Sequence, residues 1–412
     1  MVKLMEKIWK ISSLTPLQTG GVNGRTDRVY ETGIMGSLRW WYEVLVRGLG
    51  GKACDPTAKE VRCPQDSSKK PTDPGHHCVV CELFGCTGWA RKFRLMVVDE
   101  NGGVIQDQIR AGQIFALKFI PLRQIRPEEW CLLDLTLRLI DKCGAIGGKT
   151  VFKPSEEWGI ADLGAEDLDD SSGQVIVHHA RRGLPLQGND VILEIEGTQV
   201  ASLTEVETLL RGRRHGDPLT IMVQRRGSQT QIDAWVGKRH HQDFGLIAVE
   251  ARPQGVECTR EQIEAYVKDD RWCKGFDNSA FSWASLQHFW CVKRRYLARQ
   301  DADTSSFNFV IGRPEPKNQS SQGDSWLAGR RPNRQRNIDP ESKKVFSFKE
   351  PENARRTFGF VQNQDGFQEI MERLKVLRDG NGNGRKPDPG WKDFDPEKEF
   401  IKGEQILERL FS

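Results

Sequence analysis

Four cysteines fall in one irregular stretch: Cys54, Cys63, Cys78 and Cys81, spaced C-x8-C-x14-C-x2-C. A C-x2-C pair presents two thiolates from one turn, and two further thiols complete a tetrahedron around zinc. Four protein ligands leave no position for substrate, so this pattern points to a structural ion. His76 and His77 are alternates for one ligand, and Cys86 reads as packing. Two glycine-rich loops, Thr15–Gly21 and Gly144–Thr150, offer a second chemistry. Exposed backbone N–H groups beside a cationic side chain cradle phosphates. The run Gly147-Gly148-Lys149-Thr150 is not a nucleotide-triphosphate loop. It lacks the upstream glycine and a preceding buried strand, and Phe152-Lys153-Pro154 blocks the helix that would follow.

Basic and aromatic residues interleave at Arg39–Tyr42, Trp89–Arg94 and Phe289–Tyr296. Cations that track phosphates beside rings that stack bases suit single-stranded nucleic acid. Trp41 is the exception, since its helical spacing places it in the core. No G-x-S-x-G, H-E-x-x-H or two-carboxylate motif is present, and no catalytic set is assigned. His178-His179 and His240-His241 read as satisfied or solvated histidines.

These residues need a scaffold. The chain has 412 residues, which suggests two to four domains, with 37% hydrophobic and 29% charged residues to build them. It has no apolar run long enough for a membrane span and no apolar segment at its start resembling a secretory signal. A cytoplasmic protein is expected. The net charge of +4 is mild, so nucleic-acid binding must come from local patches.

Alternation predicts a strand over 8–13, and Leu38, Trp41, Leu45 and Leu49 predict a helix over about 37–49. Residues 50–90 form a long Cys-, Pro- and Gly-rich insertion that needs a staple. Strands are expected at 93–98 and 114–120, and a helix at 127–142. Residues 153–240 read as a self-contained unit, with strands at 174–177, 191–195 and 220–224 and a helix at 203–211. A strand near 244–249 resumes the interrupted domain. Helices are expected at 260–268, 282–298, 366–378 and 404–411, with loop over 312–356 and a mobile segment at 379–390.

The motifs resemble a known family. Thr15-Pro16-Leu17-Gln18-Thr19-Gly20-Gly21, then Gly36-Ser37-Leu38-Arg39-Trp40-Trp41, then Leu83-Phe84-Gly85-Cys86-Thr87 are similar to the RAMP superfamily of CRISPR effector proteins. Within it they look most like the first subunit of the type III-B (Cmr) complex. The family's glycine loop and following strand are split here, between Gly147-Gly148-Lys149-Thr150 and Asp243-Phe244-Gly245-Leu246. The resemblance covers about residues 5–152 and 240–300, with 241–412 completing the core.

It implies an α+β protein: two ferredoxin-like (RRM-like) halves, a zinc-stapled loop, and an inserted domain at 153–240. It also implies a non-catalytic subunit that holds CRISPR RNA and target RNA near the guide 3′ end, assembled with other RAMP subunits. The RNA-facing residues carried over are Gly20, Gly21, Arg25, Arg39, Arg91, Lys92, Arg94, Gly147, Gly148 and Lys149. A different reading is a RAMP endoribonuclease processing guide precursor, with His240, His241 or Tyr30 as acid and base.

The insert resembles PDZ domains of protease-associated type. The matching run is Gly183-Leu184-Pro185-Leu186-Gln187-Gly188-Asn189-Asp190-Val191-Ile192, in which Asn189 is an extra or substituted residue. Trp158-Gly159-Ile160 stands where the family's carboxylate-binding loop lies, which implies a peptide partner and an adaptor role.

Overall fold

The computed structural model describes residues 5–20, 28–55, 59–147, 165–180, 185–210, 218–235, 243–276, 281–298, 305–312, 326–329, 341–380 and 387–412. The chain divides into two compact units, one made of 1–150 with 243–412, the other of 151–242.

The first unit opens with β1 (Lys7–Ser13), α1 (Glu31–Gly48), the short α2 (Val79–Phe84), β2 (Phe93–Val98), β3 (Ile114–Pro121) and α3 (Pro127–Cys143). Strand alternation is visible in the burial. Trp9 and Ile11 of β1 point inward, as do Phe115, Leu117 and Phe119 of β3. Pro127 opens α3, and the Glu129 carboxylate accepts from the Arg126 N–H at 2.7 Å.

The second unit follows: β4 (Ala165–Asp169), β5 (Val175–Ala180), β6 (Val191–Ile195), β7 (Thr198–Gln199), α4 (Leu203–Leu210), β8 (Pro218–Arg225) and β9 (Ser228–Trp235). Its sheet runs β4-β5-β6-β8-β9, with β7 beside β6. Its own core includes Val175, Ile192, Ile195, Val206, Leu219 and Ile221. Asn189 adopts φ +69°, so it substitutes for a glycine in the turn. Next to it the buried Asp190 accepts two bonds from Arg225, at 2.8 and 2.7 Å.

The chain then returns to the first unit with β10 (Ile247–Ala251) and α5 (Arg260–Lys268). Antiparallel β10 pairs with β1, closing the sheet order β10-β1-β3-β2. The order β1-α1-β2-β3-α3-β10 is a ferredoxin-like half whose last strand lies beyond the insert. The insert therefore sits in the helix-to-strand connection after α3. The core residues on either side of the insertion meet, since the Ile146 N–H donates to the Gly245 carbonyl at 2.8 Å.

A second half repeats the pattern: β11 (Phe289–Lys293), α6 (Ser306–Val310), β12 (Val345–Phe348), β13 (Arg356–Phe360), α7 (Asp365–Asp379), α8 (Pro396–Glu399), β14 (Phe400–Lys402), then α9 (Gly403–Phe411). Its sheet runs β12-β13-β11-β14. The expected helix over 282–298 is instead this central strand. Phe289, Trp290, Cys291 and Val292 are all buried, as a strand covered on both faces requires. The loop expected over 312–356 contains β12. The two halves share a core, with Trp41 of α1 edge-on to Phe289 and Phe358 at 5.8 Å each. Arg356 of β13 donates to the Asp141 carbonyl of α3 at 2.6 Å.

Candidate metal centre and nucleic-acid interface

The loop after α1 and the start of α2 bring the four cysteines together. The Sγ atoms of Cys54, Cys63, Cys78 and Cys81 all lie within 4.8 Å of one another, and all four residues are buried. Cys78 precedes the first turn of α2 and Cys81 lies in it, so the C-x2-C spacing sets both thiols on one side. A tetrathiolate zinc site has S···S edges of about 3.8 Å, from Zn–S bonds of about 2.3 Å. The Cys54–Cys81 separation of 3.5 Å is close to that edge.

The surroundings suit thiolates. The Cys78 N–H donates to Cys63 Sγ at 3.3 Å. Arg39 Nη2 points at Cys81 Sγ and Cys54 Sγ at 3.3 and 3.6 Å. Arg47 donates to the Cys54 and Ala53 carbonyls at 3.4 Å each and to the Ala284 carbonyl at 3.1 Å, tying one ligand to the segment that leads into β11. Such outer donors orient ligands and offset their negative charge. The donor set fits a metal, and the four cysteines close it without a histidine.

Two assignments made from the sequence are corrected here. Arg39 is directed inward. Nη1 donates to the Gly85 carbonyl at 3.0 Å and Nε to Glu43 at 2.9 Å, which ties the two motifs quoted above to each other. Burial works to lower its pKa, but Cys81, Glu43 and Cys54 outweigh it and hold the guanidinium charged. Lys92 is also removed from the RNA-facing set. It is 4% exposed, and its Nζ lies 2.5 Å from Glu82 and 2.8 Å from Glu129. Glu82 in turn contacts His77 Nε2 at 2.6 Å. Burial raises the Glu82 pKa, but the bonds from His77 and Lys92 prevail and bring it down to about 2.

Arg91 and Arg94 remain at the surface, flanking that buried lysine. Gly20 is exposed, and a side chain there would meet nothing within 4 Å. Gly147 is at φ +115°, and a Cβ would stand 2.7 Å from the Gln18 carbonyl. The two glycine-rich loops therefore touch, and the Gly147 N–H donates to Ser37 Oγ at 3.1 Å. Gly21, Arg25, Gly148, Lys149, Trp158, Gly159, Ile160, His240 and His241 lie outside the described residues. The aromatic run at 289–296 is mostly interior: Phe289 and Trp290 are fully buried, and Arg295 pairs with Glu399 at 2.6 Å.

Beside the meeting loops lies a cavity of about 340 Å³, lined by Ser37, Trp40, Gly147, Trp283, Lys343 and Phe346 among others. Lys344 sits 4.9 Å from the Trp283 ring and 4.7 Å from Trp326. This volume is within the ordinary range for small-ligand sites. Trp283, Lys343 and Phe346 were not legible as site residues, because they come from segments expected to be helix or plain loop.

A family model of the RAMP superfamily matches residues 10–152, and one of the PDZ domain matches residues 161–236. Residues 10–152 are a RAMP segment, and 161–236 a PDZ domain. No curated protein matches the chain. Similar solved structures include Cmr1 from Pyrococcus furiosus in its apo form, at 15% identity and TM-score 0.22, covering 35% of this chain and 45% of that one. The HtrA-type protease AlgWS227A with a decapeptide aligns at 17% identity and TM-score 0.16, covering 40% and 44%. AlgW with a tripeptide aligns at 17% and 0.14, covering 41% and 48%. The chain thus spans less than half of each of these structures. The RAMP match ends near the point where the PDZ domain interrupts the first ferredoxin-like half. β10, which completes that half, lies beyond both matches. Among the described residues, no helix is long and apolar enough to cross a membrane.

Proposed function

We propose that this protein is a non-catalytic, RNA-binding subunit of a type III CRISPR effector complex, in the position of the first Cmr subunit. It holds guide and target RNA near the guide 3′ end, in the cytoplasm, alongside other RAMP subunits. The observation that carries this reading is the contact of the two glycine-rich loops beside an aromatic cavity with Lys343 in its lining. Backbone N–H groups and Lys343 suit phosphates, and Trp40, Trp283 and Phe346 suit unpaired bases. The four cysteines hold a structural zinc that staples the 50–90 loop, and no bond-breaking role falls to any residue. The PDZ domain docks the C-terminal peptide of a partner, which coexists with RNA binding.

The test is binding of labelled single-stranded RNA by fluorescence anisotropy across a salt series. Lys343→Glu and Trp283→Ala should each weaken binding by about tenfold, on the scale of one stacked base or one phosphate contact. Lys343→Glu should also flatten the salt dependence. Wild-type affinity in both variants would remove the cavity from the RNA path.

A further inference from the structure

The four cysteines leave a second group of ligating atoms unexplained. His76, His77 and Cys86 each offer one ligand atom, and these three atoms lie within 4.8 Å of one another. His76 is 3% exposed and His77 is 6% exposed, whereas Cys86 is only half-buried. The backbone fixes all three. The His76 N–H donates to the Asp73 carbonyl at 3.2 Å, and the His77 carbonyl accepts from the Cys273 N–H at 2.9 Å. Cys86 is held by paired backbone bonds with Trp89, at 2.8 and 3.0 Å.

The outer contacts set the tautomer. His77 Nε2 faces the Glu82 carboxylate at 2.6 Å, so that nitrogen carries the proton and donates it. The ring is further held against Trp89, stacked at 4.8 Å. In the neutral ring Nδ1 of His77 then keeps its lone pair, and it faces Nδ1 of His76 at 2.9 Å. A carboxylate behind a histidine whose other nitrogen points at a second ligand is the arrangement that orients imidazole for a metal. We propose that His76, His77 and Cys86 bind a second divalent ion, zinc, next to the four-cysteine centre.

Two imidazole nitrogens and one thiolate match the softness of zinc. On a tetrahedral ion the two nitrogens would stand about 3.3 Å apart, given Zn–N bonds of about 2.0–2.1 Å. A few tenths of an ångström of ring movement suffices to reach that from 2.9 Å. One zinc with one thiolate carries a net positive charge, and the tetrathiolate centre beside it a net negative one, so the neighbours attract. Three protein ligands leave the fourth position open to water. This ion should bind more weakly than the fully enclosed one. The competing state is a plain hydrogen bond from His76 Nδ1–H to His77 Nδ1.

The test is zinc content of the full-length protein, equilibrated with zinc and desalted, by elemental analysis. Wild type should carry about two ions per chain, and His76→Ala and Cys86→Ser about one each. Cys86→Ser alters a half-buried side chain, so it guards against a folding failure in His76→Ala. Cobalt loading gives a second readout. Cys86→Ser should keep the intense sulfur-to-cobalt bands of the tetrathiolate, whereas Cys78→Ser should lose them. One ion per chain in both wild type and Cys86→Ser overturns the proposal in favour of the hydrogen-bonded pair. Loss of both ions in Cys86→Ser overturns it too, since the residues would then belong to a single centre.

Discussion

Replacing Lys92 with methionine separates an interior role from an RNA-facing one. Lys92 is 4% exposed and lies between Glu82, which is 8% exposed, and Glu129, which is fully buried. Its Nζ stands 2.5 Å from Glu82 and 2.8 and 2.9 Å from the two oxygens of Glu129. Methionine keeps most of the volume but leaves Glu129 without its cation. Breaking a buried ion pair from one side costs about 3–5 kcal/mol. That is about two to nearly four decades in the folding equilibrium, at about 1.36 kcal/mol per decade. Urea unfolding followed by tryptophan fluorescence reads this directly. Adding Glu129→Gln to Lys92→Met should recover part of the loss, because the stranded charge is gone. RNA affinity per folded molecule should not change. A destabilisation below about 1 kcal/mol, the size of an exposed pair, together with weakened RNA binding would refute the interior assignment.

Three further outcomes are expected. Cys78→Ser or Cys81→Ser should lose the structural ion, read by elemental analysis, and make the 50–90 loop sensitive to protease; full metal content would contradict the site. Arg39→Leu should speed release of that ion to a chelator without changing the salt slope of RNA binding, because its guanidinium faces two sulfur atoms. Glu82 has a folded pKa of about 2, below its unfolded value of about 4.3. Its contribution to stability is therefore complete above the unfolded value and disappears as pH falls through about 2; Glu82→Gln should lessen the acid sensitivity of unfolding over that window.

Much of the scaffold could be read from the chain. Strand β2 at 93–98 and helix α5 at 260–268 lie where periodicity put them, and Trp41 is core, as its spacing required. Helix α1 begins at Glu31, not near Ser37. Gly33 lies within that helix, where a Cβ would come within 2.7 Å of Thr19, so the close approach needs glycine. The segment 282–298 misled because Phe289-Trp290-Cys291-Val292 is continuously apolar, and such a run has no period to separate strand from helix. β12 at 345–348 was hidden in a Pro- and Ser-rich surrounding.

The site was legible in its parts and not in its contacts. The cysteine spacing carried the metal centre, because ligand chemistry restricts spacing. Arg39 and Lys92 looked like phosphate ligands because a sequence shows charge and not direction. Only the fold reveals that one faces sulfur and the other two carboxylates. Trp283 and Lys343 reach the glycine loops from more than a hundred residues away, a proximity that no local pattern encodes.

The most direct test of the effector role is purification of the tagged protein from its native host, with sequencing of the RNA and identification of the proteins that accompany it. Short RNAs of uniform length with a repeat-derived end, recovered with other RAMP subunits, are the expected result. Protein recovered alone and free of RNA would contradict it.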